Sequence, residues 1–200
     1  MNETDLSGSA DGGMRAAPLR TRAVGYAIDM VLFAAIATCV AAIAGFILLR
    51  STDSARGDAT DPDCYLFFGI IGLGVPIVWT LLCLAVLVAQ SRTGGQYVVG
   101  VHVARANGQQ LSLRGALLWW FCLNPLLFSW PMAIVSGVPI TLVLAPTLGR
   151  RAILGYGVLG ALCIATPVVA FVSAAFDAES RALQDRIVGT RVVRDDESTS

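Results

Sequence analysis

The charged residues of this chain fall between long apolar runs rather than within them. Residues 24–49 hold a single charge, Asp29, in 26 positions, and residues 65–89 and 152–176 hold none. At a rise of 1.5 Å per residue, 26 helical residues reach about 39 Å, more than the roughly 30 Å of a hydrocarbon core. Each run therefore predicts a membrane-spanning helix, with Pro76 as a kink in the second. The first run is longer than the apolar core of about 7–15 residues found in a cleaved signal peptide, so a retained span is expected.

The stretch 115–146 is different. Its 32 residues would make a helix of about 48 Å, and it contains Asn124-Pro125, Pro131, Gly137 and Pro139. It reads either as one long broken span or as two short ones. Arginine placement favours the first, because cytoplasmic loops collect basic residues. With a cytoplasmic N-terminus, four spans put ten arginines inside and four outside (Arg50, Arg56, Arg150, Arg151), whereas five spans give eight against six. The expectation is an all-α membrane protein of about four transmembrane helices, at 24–49, 65–89, 116–146 (broken) and 152–176. It would lie in the plasma membrane as a multi-pass protein with both termini cytoplasmic. Residues 17–195 form this domain, and the polar ends, 1–16 and 196–200, are expected to be disordered.

Composition agrees. The 200 residues are 56% hydrophobic and 14% charged, against about 25% charged in a soluble domain, and the mean hydropathy is +0.70. The lipid bilayer is thus the first partner. Net charge is zero, which predicts no nucleic-acid partner; all 14 basic residues are arginine, a pattern that reads as codon bias or else as Arg's bidentate grip on carboxylates and phosphates. Cys39, Cys83, Cys122 and Cys163 lie inside apolar runs, no CxxC spacing occurs, and His102 is the sole histidine. No metal and no cofactor are expected. GxSxG, HExxH, P-loop and GxGxxG patterns are absent, so an enzyme is not expected.

A similarity recurs at an offset of 89. SRTGGQYVVGVHVAR (91–105) and SRALQDRIVGTRVVR (180–194) share Ser91, Arg92, Val99, Gly100, Val103 and Arg105 with their counterparts. Each copy follows a span and ends in a β-branched run. The pair reads either as a repeat of two spans plus a motif, in the parallel layout some transporters use, or as similar interfacial amphipathic segments. Val101-His102-Val103, the turn Asn107-Gly108 and residues 110–113 predict a small cytoplasmic hairpin, to which 190–193 could add a strand.

Asp29 is the only ionisable residue well inside a span, and a carboxylate there needs partners or water. Arg22, Tyr26 and Asp29 are spaced i, i+4, i+7 and share a helix face that should point into the bundle. Asp29 is thus a candidate proton or cation site, or else a structural partner of a neighbouring polar group. Asp185 lies outside the hydrocarbon, where it could pair with Arg22 or Arg186 or cap a short helix. Asn124, beside Pro125, is a further candidate polar residue within the bundle. Trp119, Trp120 and Trp130 are expected at or near an interface belt.

These residues resemble the RDD family of bacterial integral membrane proteins, named for an arginine and two aspartates. RAVGYAID supplies Arg22 and Asp29, LQDRIVGTRVV supplies Asp185 with Gly189-Thr190, and RTGGQYVVGVHVARANGQQLSLRGALL is similar to the family's central stretch. The similarity runs from about residue 17 to 195. Gln96 stands where the family's pattern has a lysine, and Gln184 where it has a histidine, so any role of those basic groups is altered here. The resemblance implies transport, including cation/proton exchange, or a transport component. The alternative is a non-catalytic assembly, stress or interaction factor that docks a cytoplasmic partner through its motif, and either could act as a homo-oligomer.

Overall fold

Three helices have the length and apolarity to cross a membrane. Among the described residues they are α1 (Leu19–Ser51), α2 (Asp61–Gln90) and a later helix over Arg150–Ala175. The structure is a computed structural model that describes residues 16–52, 61–105, 111–123, 127–144, 149–177 and 181–195. Along α1 and α2, side chains such as Val31, Phe46, Leu73 and Leu81 are more than three-fifths exposed. Apolar surface of that extent requires lipid around it. A helix is the form that satisfies every backbone donor and acceptor there without water. After α2 come the short α3 (Gly94–Val98), the strand β1 (Val101–Arg105) and α4 (Leu113–Leu123).

The stretch expected as a broken span is in pieces. α4 is followed by α5 (Ser129–Met132), a π-helical turn (Ala133–Gly137) and α6 (Val138–Leu144). Proline removes a backbone donor, and the freed carbonyls are taken up by side chains. Leu127 lies four residues before Pro131, and its carbonyl accepts from the Tyr26 hydroxyl at 2.8 Å. Cys163 lies four residues before Pro167, and its carbonyl accepts from Thr166 Oγ1 at 2.8 Å and from Ser129 Oγ at 3.2 Å. The proline breaks thus tie the broken stretch to α1 and to α7 (Arg150–Ala175). The chain then forms α8 (Leu183–Val188) and β2 (Thr190–Arg194).

The core is aromatic. Phe33 meets Trp79 at 5.3 Å between ring centroids, Trp79 meets Phe128 at 5.2 Å, and Trp120 meets Phe128 at 5.8 Å. Trp119 and Trp120 are each only 1% exposed. They are interior residues, against the expectation of an interface belt, because α4 turns that face toward α2 and α8.

The predicted all-helical membrane architecture with a small antiparallel element is the one observed, but the element joins distant segments. β1 pairs with β2, Val103 opposite Val192. Among the described residues of the expected hairpin, Leu111 and Ser112 carry no strand and Leu113 opens α4, while Gln110 lies outside them. The turn Asn107-Gly108 lies outside the described residues. On the other side, Ala16 bridges Val193, and the Ala17 amide donates to the Val192 carbonyl at 2.9 Å.

The two similar segments have the same local structure. In each, a short helix ends at a left-handed glycine, Gly100 (φ 65°) or Gly189 (φ 70°), and a strand follows. Only glycine takes that conformation at little cost. The pairing is also self-symmetric. Val101 pairs with Arg194, while their counterparts at offset 89, Thr190 and Arg105, pair with each other. The two copies are therefore related by a local twofold between Val103 and Val192.

Gly95 is the tightest point in this arrangement, since a Cβ there would stand 1.9 Å from the Gly25 carbonyl oxygen of α1. Gly95→Ala is expected to destabilise the protein by about 3 kcal/mol or more, as overpacking against backbone does. Gly100→Ala meets open space and should cost about 1–2 kcal/mol, from backbone conformation alone. Denaturant unfolding of the two variants in detergent distinguishes them.

Candidate functional site

The i, i+4, i+7 face of α1 lines a small cavity of about 50 Å³, where α1, α4, α7 and both motif copies converge. Arg22, Tyr26 and Asp29 enter it from α1, Thr93 and Gln96 from the first copy, and Gln184 from the second. Asn124 lies outside the described residues.

Asp29 is 4% exposed. Its Oδ2 accepts from Thr93 Oγ1 at 2.7 Å and its Oδ1 from the Gly95 amide at 2.7 Å. Both donors come from the start of α3, and the reason lies in Thr93-x-x-Gln96. Thr93 caps α3: its hydroxyl oxygen accepts from the Gln96 amide at 3.2 Å, and Gln96 Oε1 accepts from the Thr93 amide at 2.9 Å. This is a capping box. The hydroxyl proton is then free to point at Asp29. A lysine at position 96 would have no acceptor, so this cap depends on the Gln96 carbonyl.

Asp185 is fully buried and carries four donors. Arg22 Nη1 donates to Oδ2 at 3.2 Å, and the Ala182 amide to the same oxygen at 3.3 Å. Trp119 Nε1 and Thr190 Oγ1 donate to Oδ1 at 3.0 and 3.3 Å. Burial pushes this carboxyl above the usual range, while the Arg22 charge and the other donors pull it back. Arg22 Nη2 also donates to the Val192 carbonyl at 3.3 Å. Asp185 is the offset-89 counterpart of Gln96, and both side chains reach back to the backbone amide before their helix.

Arg22 therefore holds the second motif copy and Asp29 the first, from one face of one helix. The sequence spacing brings these two and Tyr26 together, and the fold adds Asp185. Arg186 goes elsewhere, to Asp177, as does Arg181. Hydrogen bonds from Arg186 and from the Arg181 amide hold the Asp177 carboxyl down at about 2. Asp195 joins the copies from the other end, accepting from Arg92 at 2.9 Å and lying 2.6 Å from His102 Nδ1. Partial burial works upward on this carboxyl, but His102 and Arg92 hold it below its ordinary value.

Two buried polar atoms at the cavity, Arg22 Nε and Gln184 Oε1, have no partner among the described residues. They offer one donor and one acceptor, and the cavity has room for a water, which needs about 10–15 Å³. Tyr26 is fully used, since its hydroxyl also accepts from Trp130 Nε1 at 2.6 Å.

Of the contributors that sequence reasoning missed, Thr93 was detectable as the head of a capping-box pattern. Thr190 stood in the Gly189-Thr190 step already singled out, but nothing local marked it, Trp119 or Gly95 as a donor to these carboxylates. The family model described as the RDD family matches residues 16–189. The chain matches no curated protein and no solved structure.

Breaking one side of the buried pair leaves an uncompensated charge. Arg22→Met and Asp185→Leu should each cost about 3–5 kcal/mol, and the double variant should cost clearly less than their sum in unfolding titrations. For Asp177, the folded value of about 2 lies below the unfolded value of about 3.9. Its contribution is thus complete above the unfolded value and lost as pH falls through the folded one. Asp177→Asn should lower Tm equally at about pH 5 and about pH 7, with the difference vanishing near pH 2.

Proposed function

The chain belongs to the RDD family, and from that premise we propose that it acts without catalysis, as a membrane assembly or interaction factor. In this reading it is a multi-pass plasma-membrane protein with both termini in the cytoplasm, where its paired-strand module meets a partner protein. The ten-to-four distribution of arginines supports that orientation.

The observation that carries the reading is the commitment of both carboxylates to the fold. Asp29 spends its two oxygens on Thr93 and Gly95, and Asp185 spends its own on Arg22, Ala182, Trp119 and Thr190. A site that loads and releases an ion needs ligands that exchange with water. Here the donors are backbone amides and side chains whose positions also define α3, α8 and β2. Their work is to hold two juxtamembrane motifs rigidly against α1, as a presented surface requires.

A second reading, a transport component, is favoured by one feature. Arg22, Asp29 and Gln184 share a cavity at the junction of the two motif copies, and transporters with internal repeats bind at such junctions. A cavity of about 50 Å³ is not a path, so this reading also requires rearrangement or a second copy of the chain.

Purified protein in liposomes, monitored for internal pH under sodium, potassium or lithium gradients, separates the two. The expected result is no cation-driven proton movement from folded protein, and a lowered Tm for Asp29→Asn. Proton movement that depends on the gradient and disappears in Asp29→Asn would replace the first reading with the second.

A further inference from the structure

We propose that the open pocket between β1, α4 and the turn after α8 binds the headgroup of an anionic phospholipid, with Arg105 and Arg114 as its phosphate ligands. The pocket encloses about 550 Å³ and is lined by these arginines together with Ser112, Leu118, Val188 and Thr190. It is separate from the α1 cavity and uses none of its residues.

Charge is the first argument. Arg22, Arg92, Arg181 and Arg186 each hold a carboxylate. Arg105 and Arg114 have no carboxylate partner among the described residues. Arg105 donates one Nη2 bond to Ser112 Oγ, which fixes the guanidinium over the pocket and leaves further N–H groups for an anion. Guanidinium groups match phosphate oxygens in pairs.

Position is the second. The pocket lies where α4 begins and the chain enters its apolar stretch. Arg114, Leu118 and Phe121 are spaced i, i+4, i+7 and share one face of α4. All three are exposed, Leu118 by 50% and Phe121 by 66%. That face therefore carries a cation at its outer end and bare apolar side chains below it. A free phosphate would use only the upper part, whereas a phospholipid uses both, its acyl chain lying along Leu118 and Phe121. Basic pockets beside membrane helices take anionic lipid headgroups in this way.

The test uses the full chain purified in neutral detergent and mixed with equal amounts of phosphatidylglycerol and phosphatidylcholine of identical acyl chains, with retained lipid counted by native mass spectrometry. The protein should retain phosphatidylglycerol selectively. Arg105→Gln with Arg114→Gln should reduce that preference about 25-fold, at about fivefold for each arginine. The single variants decide the matter if the pair unfolds. Arg50→Gln, at the far end of α1, should leave the preference unchanged. Glycerol phosphate, the headgroup without tails, should not displace the lipid at equal concentration. A wild-type preference in the glutamine variants, or an equal loss in Arg50→Gln, would overturn the site, and displacement by glycerol phosphate would overturn the lipid as its occupant.

Discussion

Moving a carboxylate out of water costs several kcal/mol unless other donors replace its hydration shell, and this chain carries two such groups at the heart of its fold. Asp29 and Asp185 are 4% and 0% exposed. Neither finds its donors on its own helix alone. Asp29 draws on the segment after α2, and Asp185 on α1, α4 and β2. Because an unsatisfied buried charge is so unfavourable, each carboxylate dictates where several distant segments must lie. The helices bring their apolar faces together with little directional preference, and these two groups set the register.

The two motif copies make that solution economical. Each uses a short helix whose third residue reaches back to cap it, a left-handed glycine and a strand. In the first copy the capping residue is an amide, Gln96, so the neutral cap leaves the Thr93 hydroxyl free to serve Asp29. In the second it is a carboxylate, Asp185, so the cap needs an arginine, and Arg22 supplies it. The copies differ at two equivalent positions, Thr93 and Gln96 against Ala182 and Asp185, so the first donates to α1 and the second accepts from it. The antiparallel pairing of β1 and β2 then closes the twofold.

Proline has a comparable role on the apolar side. Pro131 and Pro167 leave carbonyls without a helical donor, and in lipid those carbonyls must be satisfied by protein. Tyr26, Thr166 and Ser129 do so, which turns each break into a contact between helices. The pocket at Arg105 and Arg114 meets these networks at Thr190, which lines it and donates to Asp185. Its arginines are available because the internal carboxylates are already matched.

By itself the sequence determined the apolar helices, their breaks, the shared face of Arg22, Tyr26 and Asp29, and the repeated motif. All of these follow from spacing along one chain: a run of uncharged residues must be helical in lipid, and residues four and three apart share a helix face. Tertiary structure alone decided the partners. The strand opposite β1 lies about ninety residues away rather than beyond the nearby Asn107-Gly108, in the segment that directly follows the helix carrying Asp185. The tryptophans of α4 turned inward rather than to the membrane surface, Trp119 donating to Asp185 and Trp120 packing on Phe128. Hydrophobic periodicity carries no record of such pairings: which donor meets which carboxylate depends on the packing of whole helices, and that is settled only when they meet.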